Sequence, residues 1–213
     1  MKEGKNMNDN NLRKKLQRNR IIVAILLLIA VIGVGYATLG ANLKINGVAE
    51  IPSASWDVGF KTGTVQVTSG SVSGSAVTTA ATITNSSQVD YAVTLALPGD
   101  FYEFTVTAEN AGSIDAMIDS FTSKIKIGDG EEQEITSSNL PAYLSYSVTY
   151  SDGTAVAAKQ KLDHGTSEVF KVRLAYRTDI ESNQLPTANQ SIALNFQVNY
   201  VQKDSTAIAV AHA

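Results

Sequence analysis

The 213-residue chain carries a formal net charge of -3 and contains no cysteine, which excludes a disulfide scaffold, thiol chemistry and cysteine-based zinc sites. The charge is unevenly placed: the first 20 residues hold seven Lys/Arg and two Asp/Glu (net +5), so the remainder holds ten Lys/Arg and eighteen Asp/Glu (net -8). A mildly acidic domain does not fit binding to nucleic-acid phosphates, and no nucleic-acid partner is expected.

The N-terminal segment has the pattern of an export signal. Residues 1–20 form a basic n-region, and residues 21–35 form an uncharged apolar h-region. The segment ends in small residues, with Gly35 and Ala37 on either side of Tyr36. This pattern predicts a signal peptide over residues 1–37, cleaved by a signal peptidase between Ala37 and Thr38. Because residues 21–37 reach the lower limit of about 17 residues for a membrane span, an uncleaved anchor is the alternative. Either way the rest is expected outside the cytoplasm, secreted or at the cell surface, with the membrane contacted only through this segment.

Residues 38–51 follow as an N-terminal strand segment. Leu43 and Ile45 alternate with polar residues, and the pair Asn46-Gly47 before Val48 is a strong hairpin signal.

Residues 52–202 read as strands that alternate apolar and polar side chains, separated by turn residues. We predict about eight to ten strands in an all-β antiparallel two-sheet sandwich, either jelly-roll or immunoglobulin-like. Trp56 is expected in the core, Leu97 on the buried face of a strand and residues 119–123 in a bend. One helical turn is possible over residues 135–141. Residues 203–213 are expected to form a flexible C-terminal tail.

Catalytic and metal-binding motifs are absent from the sequence. There is no H-E-x-x-H, no G-x-S-x-G and no Gly-rich phosphate loop. His164 beside Asp163 is a conceivable general base, but a solvated loop residue is the favoured interpretation. The acidic loop over residues 129–134 is expected to be solvated, with weak Ca²⁺ binding as the alternative because it lacks EF-hand spacing. We therefore predict no enzyme, no cofactor, no metal and no catalytic residue.

Four stretches resemble a known family: residues 36–51, 55–60, 97–116 and 185–202. Together they resemble the TasA/camelysin-like exported biofilm matrix proteins of Gram-positive bacteria, whose signal is processed by a SipW-type signal peptidase. The resemblance implies a jelly-roll subunit of extracellular fibres that polymerises with copies of itself by donor-strand exchange. It implies residues 38–51 as the donor, with Leu43, Ile45 and Val48 inserting. Two alternatives stay open: this segment is the first strand of its own domain, or the protein is a membrane-anchored surface module that binds protein or glycan.

Overall fold

The computed structural model describes residues 13–29, 53–136 and 138–212. The chain divides into two compact units, Met1–Ile51 and Pro52–Ala213. In the first unit, residues 13–29 are helical, and they include residues 21–29 of the predicted h-region. Within the described residues, no helix is long and apolar enough to cross a membrane. The predicted cleavage point, Ala37 and Thr38, and the predicted donor residues Leu43, Ile45 and Val48 lie outside the described residues.

The second unit is built from strands. Those that the structure describes are β1 (Val58–Phe60), β2 (Gln66–Val67), β3 (Val77–Asn85), β4 (Gln88–Thr94), β5 (Phe101–Asn110), β6 (Ala116–Ile127), β7 (Gln133–Glu134), β8 (Leu144–Tyr150), β9 (Lys161–Leu162), β10 (Ser167–Tyr176) and β11 (Ser191–Gln202). Two short 3-10 helices, Gly74–Ala76 and Ser182–Gln184, lie between them.

The strands form two antiparallel sheets that pack together, as the sequence predicts. Sheet A has the order β1-β5-β10-β8, and β2 pairs with β5 beside β1. Sheet B has the order β3-β4-β11-β6-β7, and β9 pairs with β6 beside β7.

The core lies between the sheets and follows the period-two pattern of the long strands. Alternate residues are buried along nearly the whole length of β4, β5, β10 and β11, because successive side chains of a strand point to opposite faces. Aromatic rings join the two sheets: the Phe170 ring of sheet A lies 5.7 Å from the Phe196 ring of sheet B, and both contact Phe60.

Several local predictions were wrong. Trp56 is 45% exposed, because it precedes β1 and the strand ladder does not extend to it. Leu97 is 66% exposed, because β4 ends at Thr94 and the chain has already entered the turn before β5. Residues 119–123 belong to β6, where pairing with β11 overrides the polar sequence, and the predicted bend is reduced to a register shift opposite Asn199 and Tyr200. The described residues of 135–141 contain no helical residue, and residues 138–140 form a turn and a bend.

Candidate functional site

The outer edge of β8 is an open strand edge. Two backbone bonds fix its orientation: Arg177 N–H donates to the Tyr143 carbonyl (2.9 Å), and Ser151 N–H donates to the Val169 carbonyl (2.8 Å). Because bonding direction alternates along an antiparallel strand, odd-numbered residues bond to β10 and even-numbered ones direct their N–H and C=O groups away from it. These outward-facing residues are Leu144, Tyr146, Val148 and Tyr150.

Both ends of this edge are covered, and its middle is not. Leu144 N–H donates to the Pro141 carbonyl (2.9 Å), and Tyr150 N–H donates to the Thr154 carbonyl (2.8 Å). An isolated bridge joins Thr149 to Ala155 at the second end. Between these covers, around Tyr146, no described strand pairs with the outer side of β8. The middle of β8 therefore presents backbone donors and acceptors to solvent.

The side chains of β8 do not protect this edge. Its seven residues, LSYSVTY, include no charged residue and no proline, which are the common devices that stop one sheet from pairing with another. The other outer strands differ. Strand β3 carries three register shifts against β4, β7 carries Glu134 and β9 carries Lys161. Strands β1 and β2, at the opposite edge of sheet A, are also uncharged, but they are only three and two residues long. Among the described strands, β8 is thus the long uncharged edge that pairs without a register shift.

An exposed phenyl ring lies on β6, the strand of sheet B beneath β8. Phe121 has the same parity as Ser123 and Ile125, whose side chains are buried toward the core. The hydroxyl oxygens of Ser123 and Tyr146 lie 2.8 Å apart, so β8 covers β6 at Ser123. Two residues along, Phe121 is 38% exposed, because β8 is the last strand of sheet A and leaves this part of β6 uncovered.

Buried tyrosine hydroxyls line the inner side of β8. Burial raises the pKa of Tyr146, which bonds Ser123, and burial also raises the pKa of Tyr91. Among the described residues, Tyr91 Oη has no hydrogen-bond partner. Raised tyrosine pKa values keep these hydroxyls neutral at physiological pH. The Tyr146 and Tyr91 side chains therefore pack in the core beneath β8 as neutral phenols, and they provide no reactive phenolate.

The predicted pair of His164 and Asp163 is not brought together. His164 Nδ1 instead lies 2.7 Å from Asp115 Oδ1, and His164 N–H donates to the same oxygen (2.9 Å). Asp163 contacts Lys161 and Lys203. The pKa of Asp115 falls below its usual range, first because of the His164 backbone N–H and then because of Lys203. His164 therefore bonds the ionised carboxylate of Asp115 instead of Asp163. This contact joins the loop between β9 and β10 to the loop before β6.

The acidic loop does not gather into a metal cluster. Glu132 forms a 3.2 Å ion pair with Lys124. In the ranges 13–29, 53–136 and 138–212, no group of three or more His, Asp or Glu is placed to hold a metal ion.

Sequence reasoning missed the role of β8 and of the C-terminal segment. Period-two alternation identifies β8 as a strand but does not distinguish an edge from a centre. Composition does not make this distinction either, because β3 and the central strand β11 lack charged residues just as β8 does. No family model, no curated protein and no solved structure matches the chain.

Proposed function

We propose that this chain is a secreted structural subunit of extracellular biofilm matrix fibres, in which copies join by strand addition at β8. The observation that carries the proposal is the free, uncharged middle of the β8 edge. An extended segment laid along it satisfies the outward backbone groups and sets alternate side chains against the apolar surface near Phe121. The donor is residues 38–51 of another copy, released when the signal is removed after Ala37.

The proposal also assigns the finer fold class. The chain passes from β4 in sheet B to β5 in sheet A, back to β6 in sheet B, and then to β8 in sheet A. Repeated crossing between sheets is typical of Greek-key and jelly-roll sandwiches, and we place the fold with the jelly rolls. Joining an N-terminal donor on one copy to β8 on the next is a head-to-tail contact, which does not close and yields filaments.

The test compares two matched lysine variants of the exported chain. Ser147→Lys places a charge on the β8 edge, and Ser191→Lys places the same charge on β11, which is paired on both sides. Both serines are exposed. We expect filaments by electron microscopy from the native chain and from Ser191→Lys, and mainly monomers from Ser147→Lys. Equal assembly of the two variants would refute the β8 site.

N-terminal sequencing of the exported protein tests the donor. A chain that starts at Thr38 supports the proposal. A surface-bound chain that keeps residues 1–37 would favour the alternative of a membrane-anchored module binding protein or glycan.

A further inference from the structure

The C-terminal segment, residues 203–212, crosses from sheet B toward sheet A. It begins where β11 ends, and Lys203 Nζ there contacts Asp115 (2.6 Å) and Asp163 (3.0 Å). Further along, Ile208 N–H donates to the Lys159 carbonyl (2.8 Å) and Lys161 N–H donates to the Ile208 carbonyl (2.9 Å). This pairing is a parallel bridge, so the segment is docked at positions that are far from it in sequence.

The far end of the segment is held by His212. Its Nδ1 lies 2.7 Å from Asp152 Oδ2 and its Nε2 lies 3.2 Å from Glu168 Oε1. An imidazole with a carboxylate at each ring nitrogen fits the doubly protonated cation, in which both nitrogens donate. The ring also meets Tyr150 edge-on, with centroids 5.6 Å apart. Asp152 follows β8 and Glu168 lies on β10, so His212 fastens the segment to sheet A.

The docked C-terminal segment lies against residues 154–157, which cover the Tyr150 end of the β8 edge. Thr154 Oγ1 donates to the Ala211 carbonyl (3.4 Å), and the Thr154 carbonyl accepts the outward N–H of Tyr150. The chain beyond Thr154 is held by Gln160, whose Oε1 accepts from Tyr150 Oη (2.9 Å) and from Ala157 N–H (2.7 Å). Residues 154–157 therefore close one end of the edge and contact the segment that crosses them.

We propose that residues 203–212 act as a strap, which His212 fastens when it is protonated and which loosens as His212 loses its proton, uncovering the Tyr150 end of the β8 edge. The strap itself is independent of any assembly. Its consequence for strand addition rests on the proposed function: a loosened strap gives the incoming segment a longer edge to pair with.

The direction of the pH dependence follows from the groups around the imidazole. The Asp152 and Glu168 carboxylates raise the pKa of His212 above its usual value. The Thr154 backbone N–H, followed by the Thr154 side chain and His212, holds the pKa of Asp152 at about 2. Tyr150 and Tyr200 stay neutral because burial raises the pKa of both. Because docking raises the pKa of His212, the protonated imidazole stabilises the docked strap fully below pH about 6.5, the ordinary histidine value. This stabilisation is lost as the pH rises through the pKa of His212 in the folded protein.

Amide exchange measures the strap directly. The Lys161 and Ile208 amides donate across the contact between strap and body, and they serve as probes in the exported, ¹⁵N-labelled chain at a concentration where it is monomeric. The wild type is compared with His212→Gln at the same pH, so intrinsic exchange rates cancel. At pH 5.5 we expect these amides to exchange about 2- to 5-fold faster in the variant, the range that exposed ion pairs contribute. At pH 8.5 the two proteins should exchange alike.

Two further variants make the test specific. Arg177→Gln removes a different exposed ion pair, the one that Arg177 forms with Asp179, and it should leave both probe amides unchanged. Glu168→Gln keeps the side-chain shape but removes one carboxylate, so the titration of His212 followed by NMR should move toward its ordinary value. Equal exchange in the wild type and His212→Gln at pH 5.5 would overturn the strap.

The rate of filament formation provides a second test, which concerns the link between the strap and strand addition at β8. His212→Gln should form filaments faster than the wild type at pH 5.5 and at the same rate at pH 8.5. Faster exchange without faster assembly would overturn the link between the strap and the edge. If no protein forms filaments under any condition, the proposed function fails, while the exchange measured on monomers still decides the strap.

Discussion

Asn110, at the end of β5, is a buried side chain with every polar atom in use. Its Nδ2 donates to the carbonyls of Ile114 (2.9 Å) and Leu162 (3.0 Å), and its Oδ1 accepts from Gly112 N–H (3.2 Å). The residue is fully buried. These bonds tie the turn after β5 to β9. Changing Asn110 to Asp keeps the size of the side chain and replaces the donor of two hydrogen bonds by an acceptor.

The expected cost follows from the two carbonyls. Each loses its donor, and an unsatisfied buried carbonyl costs about 1–3 kcal/mol, so at pH 7 the free energy of unfolding should fall by about 2–6 kcal/mol. A domain typically has about 5–15 kcal/mol in total. The introduced carboxyl is buried and faces two carbonyl oxygens, so its folded-state pKa is raised above about 3.9. Stability should therefore be partly recovered at pH 4, where a protonated carboxyl donates one bond, and lost as pH rises.

Urea unfolding followed by intrinsic fluorescence at pH 7 and pH 4 checks this prediction. The matched control is Asn85→Asp: Asn85 uses only its Oδ1, which accepts from Ser87 N–H (2.9 Å) and Ser87 Oγ (3.0 Å). A carboxylate preserves both bonds, so the control should change stability by no more than about 0.5 kcal/mol. Equal losses for the two variants at pH 7, or a loss for Asn110→Asp that does not shrink at pH 4, would refute the reasoning.

Three further predictions concern packing, backbone approach and charge. Phe196→Ala in the aromatic core should lower the free energy of unfolding by about 3–5 kcal/mol. Phe121→Ala should lower it by about 1 kcal/mol or less, because the ring is already partly exposed. Equal losses for the two variants in chemical unfolding would contradict the described packing. A Cβ added at Gly112 would meet a backbone oxygen at 2.6 Å, so Gly112→Ala should cost about 1–3 kcal/mol, and an unchanged melting temperature would count against it. Lys203→Met should raise the pKa of Asp115 toward its usual value, because the ammonium is one of the groups that depress it. Carboxyl NMR titration measures that shift, and an unmoved pKa would show that the ion pair does not form in solution.

Local sequence signals were sufficient for the long strands and for some turns. The alternation in residues 191–202 predicts β11, and its buried residues are the apolar ones. The turn over residues 98–100 is also found: Gly99 has φ of 101°, which glycine adopts without strain, and Asp100 Oδ2 accepts from the N–H groups of Ala96 and Leu97. Each of these features is decided by residues close in sequence.

The remaining features depend on partners distant in sequence. Strand β6 continues through the polar residues Asp119 and Ser120 because it pairs with β11 along nearly its whole length, and alternation alone does not reveal that partner. The C-terminal segment has no strand pattern, and its bridge to Gln160 and the contacts of His212 involve residues about 44 to 60 positions earlier. Composition favours a tail there, whereas tertiary contacts hold it against the sheets.

The contrast between β8 and the other outer strands is the strongest physical argument for assembly. An open, uncharged edge is a hazard for an isolated domain because it pairs with other chains. The other outer strands carry register shifts or charges, or are only two or three residues long. The segment proposed to fill the edge is long enough: five extended residues, as in Leu144–Val148, span about 17 Å, and the 14 residues from 38 to 51 reach at most about 50 Å. The segment thus exceeds the edge by roughly threefold, and the excess is available as the connection between one copy and the next.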